Sequence, residues 1–186
     1  MSVLSLPVCP SDCTGLPAVA FDVCAPELHW GGVAKLYMAA ADADSFTNVE
    51  DPAEWATRLS ESATLTGDEI REATIMGDLP EPEQSEIPIS GDRTAVGVKN
   101  FTLAFDIDET NDTNYLMLLN MECNLSFKIW YETSDGMLYG GNDGILATVR
   151  VNQIIPRERT ELVKLTGTAK WKSQFSPLRV VSPLAA

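Results

Sequence analysis

The chain has 186 residues, 45% hydrophobic and 22% charged, the make-up of a folded domain rather than a disordered chain. Thirteen basic residues against 27 acidic ones leave a formal charge of −14, which repels nucleic acid and anionic membranes and argues against either as a gripped partner. No apolar run approaches the ~18 residues that cross a bilayer, and MSVLSLPVCPSD lacks the basic start and long apolar stretch of a signal peptide, so no membrane anchor is expected and the thiols are expected to stay reduced.

Residues 1–32 carry Pro7, Pro10, Pro17 and Pro26 with Gly15, Gly31 and Gly32, punctuation that predicts an extended N-terminal arm. A single β-rich domain is expected over 33–186. VAKLYMAAA (33–41) reads as its first strand. DPAEWATRLSES (51–62) reads as a short helix, with Asp51 as cap, Pro52 at the first helical position and Glu54 at capping-box spacing. Trp55 and Leu59 then share a face. The acidic, proline-rich GDLPEPEQSEIPISGD (77–92) reads as a mobile or edge-protecting loop.

The strongest strand signal is 96–108, where Phe101, Leu103, Phe105 and Ile107 alternate with polar or small residues. DETNDTNYLMLLNMEC (108–123) reads as a second helix, capped by Asn111 or Asp112. Its inner face would hold Tyr115, Leu118, Leu119 and Cys123. Strands follow at 125–132, 145–155 and 161–173, with turn signals at Asp135-Gly136 and Asn142-Asp143-Gly144. About six strands, two short helices and no βαβ alternation predict an α+β, mainly antiparallel β fold: a β-sandwich or barrel with one or two short flanking helices.

Few residues suggest chemistry. Cys9, Cys13, Cys24 and His29 have the number, and partly the spacing, of a zinc ligand set, but no knuckle glycines flank the pairs. A disulfide within the same group is the second option. Small apolar thiols packed in an arm are the third and plainest, and no cofactor is expected. DIDETNDTN (106–114) fails the calcium-loop pattern: Asn111 stands where glycine is needed and Met117 where a bidentate Glu is needed. The only histidine lies in the proline-rich arm, and no nucleophile elbow, P-loop or G-x-G-x-x-G is present. The expectation is a protein that is not an enzyme.

The layout of a cysteine- and proline-bearing arm (Cys9, Cys13, Gly15, Pro17), then FKIWYETSDGMLYGGNDGI (127–145) and GTAKWKSQFSPLRVVSPL (167–184), resembles virion structural proteins of tailed bacteriophages, most of all the major tail, or tail tube, protein. The resemblance implies subunits that form rings, commonly hexameric, stacked into a hollow virion tail assembled in the host cytoplasm. Its partners would be further copies, other tail proteins, and genomic DNA sliding past an acidic wall without specific binding. By that analogy the arm and the 77–92 segment make contacts between subunits, with Pro10, Leu16, Pro17, Trp30, Leu79, Pro80, Pro82, Lys170 and Trp171 as candidates. Lys164, Lys170 and Lys172 mark the last strand as an outer or inter-subunit one. The alternatives are a monomeric β-sandwich that binds a ligand or metal, a tail terminator, or a capsid decoration protein.

Overall fold

In the computed structural model the described residues are 29, 31–59, 67–90, 93–123, 125–158 and 160–184. Nine strands and two helices follow one another as β1 (Val33–Ala40), α1 (Pro52–Arg58), β2 (Ile70–Asp78), β3 (Glu83–Ile89), β4 (Arg93–Ile107), α2 (Asp112–Cys123), β5 (Ser126–Thr133), β6 (Met137–Tyr139), β7 (Ile145–Ile154), β8 (Lys164–Ser173) and β9 (Arg179–Val181). The expected mainly antiparallel α+β class holds, and of the two expected architectures it is the barrel. β1, β2, β4, β8, β7 and β5 pair antiparallel in that order, and β5 pairs back onto β1 to close the ring.

Alternation decides what fills the barrel. Phe101, Leu103, Phe105 and Ile107 of β4 point inward, as the period of two requires, and meet Leu165, Ala169 and Trp171 of β8. Gly167 also lies on the inward face, opposite Phe105 in register. A Cβ there would lie 2.3 Å from Phe105 Cζ, so the missing side chain is what leaves room for the ring.

A second core lies outside the barrel, and it explains why β1 and β5 are apolar on both faces. Leu36 and Met38 of β1 face inward, whereas Tyr37 and Ala39 face outward beneath α1. Trp130 of β5 packs edge-on against Trp55 of α1 and Phe46. The turn after β6 closes over Trp130, whose indole N–H donates to Gly141 O at 2.8 Å. A Cβ on Gly140 or Gly144, both at positive φ, would lie 2.5–2.6 Å from that indole.

Both helices start as the sequence requires. Asp51 Oδ1 accepts from the Ala53 N–H at 2.9 Å and Asn111 Oδ1 from the Asn114 N–H at 2.8 Å. The capping-box expectation for Glu54 is corrected. Its carboxylate accepts from the N–H groups of Thr47 and Asn48, whereas the Asp51 N–H bonds Asn48 O. The inner face of α2 is also corrected. Leu118 and Met121 enter the barrel core, while Tyr115, Leu119 and Cys123 are exposed. The run YLMLL offers apolar side chains on every side of the helix, so the surface it packs against selects the face.

The 77–92 segment departs most from expectation. It is not a loop: β2 runs to Asp78, four residues turn the chain, and β3 pairs antiparallel with β4 from Glu83 to Ile89. β6 and β9 are further unanticipated strands, and among the described residues β9 pairs only with β6.

Candidate assembly surfaces

β4 has 15 residues, and its length builds the first surface. β8 pairs with β4 only from Lys99 onward, so residues 93–98 run past the barrel rim with β3 as their partner. The result is a two-stranded ribbon. Every residue of β3 is exposed, Ile87 by 52% and Ile89 by 45%, and Val98 beside it is also exposed. Neither outer edge of the ribbon is paired among the described residues. Glu81, Glu83 and Glu86 make it acidic and form no ion pair among the described residues. Pro88 fits because an edge strand need not donate every N–H.

The second surface is the outward face of β4, β8 and β7. Asn100 and Thr102, Thr168, Lys170 and Lys172, and Thr148 and Arg150 lie side by side across it. Lys170, Lys172 and Arg150 are exposed and form no ion pair among the described residues. Pairing between β7 and β8 begins at Thr148–Lys170; rim-ward of it the two strands no longer pair with each other, Ile145–Ala147 pairing with β5 and Trp171–Ser173 with β4. A groove of about 520 Å³ opens there, with Lys170, Lys172, Leu146, Phe101 and Trp171 among its lining residues. Leu146 is 62% exposed. Trp171 is buried and stacks on Phe101 with ring centroids 5.1 Å apart, yet its indole N–H has no acceptor among the described residues.

A smaller cleft of about 360 Å³ lies where β2 and β4 part, since they pair only over Met76–Asp78. Asp106 at its edge accepts from Lys164 and Thr166, in that order of influence, and these bonds hold its carboxyl below the usual aspartate range. The same contact raises the Lys164 ammonium. Asp106 is thereby engaged by side chains, and no group of three or more His, Cys, Asp or Glu side chains able to hold a metal occurs among the described residues.

The sequence candidates separate. Cys9, Cys13, Cys24, Pro10, Leu16, Pro17 and Trp30 lie outside the described residues. His29 is exposed and its Nδ1 meets Asp135 Oδ2. Hydrogen bonds from Thr133, then from His29, lower the Asp135 carboxyl. Pro80 and Pro82 sit in the turn into the ribbon, whereas Leu79 packs against the barrel core. Lys170 is outward and exposed. Trp171 faces the interior and is 5% exposed, and it is among the residues that line the groove. Glu86, Ile87 and Ile89 were missed because their prolines read as loop, although E-I-P-I already alternates. Compared with known proteins, the chain matches no protein-family model and no curated protein.

Proposed function

We propose that this chain is a structural subunit that assembles with copies of itself, and that the assembly is the stacked-ring tube of a phage tail. The observation that carries the reading is the ribbon of β3 and the start of β4. It projects from a closed barrel with edges that no described residue pairs, and with exposed Ile87, Ile89 and Val98. An isolated domain normally blunts such an edge, because unpaired N–H and C=O groups recruit another strand. Between subunits the same edge is a means of joining, in the manner of β-strand addition. A repeated contact between two different patches closes into a ring when its rotation closes.

The charge supports the finer part of the reading. Glu72 and Asp78 on the outward face of β2 are exposed, as are Asp42, Asp44, Glu50 and Asp51 in the segment before α1. A wall of that sign repels the phosphate backbone at short range, so DNA passes without sticking. The competing reading, a monomeric ligand-binding barrel, draws on the groove between β7 and β8.

Negative-stain microscopy and sedimentation velocity over a concentration series test the proposal. Hollow rings or tubes are expected from the wild type. An Ile87→Lys/Ile89→Lys protein is expected to keep its circular dichroism spectrum and remain monomeric. A wild type that stays monomeric at every concentration and salt would sink the assembly reading and favour the ligand-binding barrel.

A further inference from the structure

Resting on that reading, we infer that the groove between β7 and β8 receives the acidic ribbon of the next copy, with Lys170 and Lys172 facing Glu81 and Glu86. Three independent features of the groove ask for the same occupant. Its rim carries two exposed ammonium groups with no ion-pair partner among the described residues, on a chain whose formal charge is −14. Trp171, one of its lining residues, faces the interior and keeps a buried indole N–H with no acceptor among the described residues, a donor that a carboxylate or carbonyl entering the seam would satisfy. Leu146 adds an exposed apolar shelf.

The ribbon supplies the complement. Among the described residues its carboxylates have no ion-pair partner and its edge is open, so that it offers carboxylates, backbone carbonyls and exposed Ile87 and Ile89. The groove cannot be filled by the ribbon of its own chain in the same way, because Glu83 at the ribbon's base already lines it and the tip points past the rim. The contact therefore joins unlike patches of two copies, which is the head-to-tail arrangement that builds rings.

Charge reversal on separate chains tests this directly. Lys170→Glu/Lys172→Glu has a groove that repels its own ribbon type, and Glu81→Lys/Glu86→Lys has a ribbon that repels its own groove type. All four positions are exposed. Each protein alone is expected to raise the concentration needed for assembly by about tenfold or more. An equimolar mixture is expected to recover assembly, since each groove then meets a ribbon of opposite sign. Trp171→Phe, which keeps the ring and removes the N–H, is expected to weaken assembly with the monomer fold intact.

The failures are distinguishable. A wild type that never assembles removes the assembly reading and this inference together. A wild type that assembles while both reversals assemble equally well, or while the mixture stays dispersed, removes this inference alone. Saturable binding of a free carboxylate such as octanoate in the groove of assembled protein would likewise show that no ribbon occupies it.

Discussion

At the scale of single residues the barrel depends on one absent side chain. Gly167 and Phe105 are register partners with no room between them for a Cβ. Phe105 is 3% exposed, so its ring has no free space to move into. Gly167→Ala is expected to lower the unfolding free energy by about 1–3 kcal/mol in urea titrations. Phe105→Leu in the same chain is expected to recover part of that loss, a coupling that two distant sites would not show. Equal stability of Gly167→Ala and wild type would mean that the ring yields freely. Glu54 provides a residue-scale test by pH. The N–H groups of Thr47 and Asn48, and then Arg58, hold its carboxyl below the ordinary glutamate value. Its folded pKa is thus the lower one, so the stabilisation is fully present above the unfolded value of about 4.3 and disappears as pH falls through the folded value. The melting temperature of Glu54→Gln is expected to lie below that of wild type at about pH 6, and the gap to narrow as pH falls below about 4. Parallel curves across that range would show that Glu54 contributes nothing through its charge.

At the scale of elements, a three-residue strand is tied down by a buried carboxylate. Glu132 on β5 is 6% exposed, and its Oε2 accepts from Tyr37 of β1 at 3.0 Å and from Ser182, just after β9, at 2.8 Å. Burial, then the nearby Glu132 charge, pushes the Tyr37 hydroxyl well above its ordinary pKa, so it remains a donor. Ser182→Ala is expected to cost about 1–3 kcal/mol and to speed amide exchange across β6 and β9. Adding Tyr37→Phe strips the carboxylate of both donors and is expected to cost more than the two single changes summed. Additive costs would show that water or another group solvates Glu132. Elements of this kind are also where sequence reading reaches its limit. β4 was legible because one of its faces is buried and the other is not, so the period of two survives. β1 and β5 were legible as strands, but their outward cover was not, since burial on both faces erases alternation. β9 is too short to carry any period. The ribbon's sequence reads as loop because Pro80, Pro82 and Pro88 are dense, and its position at an edge is what makes Pro88 compatible with pairing. The groove joins β4, β7 and β8 through a seam left by strand register, a feature that no local pattern encodes.

At the scale of the whole molecule two electrostatic effects oppose one another, and magnitudes decide between them. Copies of charge −14 repel. A compact chain of this length has a radius of gyration near 16 Å, which puts neighbouring centres about 40 Å apart. At that distance the unscreened repulsion in water is about 20 kcal/mol. At about 0.01 M salt the screening length is about 30 Å, so several kcal/mol of it survive; at about 0.15 M the length is about 8 Å and almost none does. The attraction between the groove lysines and the ribbon carboxylates acts over a few ångströms in a partly dehydrated contact, where salt screens it far less. Salt therefore removes the long-range term first. Wild-type protein is expected to sediment mainly as monomer at about 0.01 M salt and to assemble as salt rises to about 0.15 M. The reversal Lys170→Glu/Lys172→Glu deepens the negative charge and removes the local attraction, so added salt is expected to restore its assembly incompletely. If low salt instead favoured wild-type assembly, local attraction would outweigh net charge, and charge pairs between copies would have to be more numerous than the groove and ribbon supply.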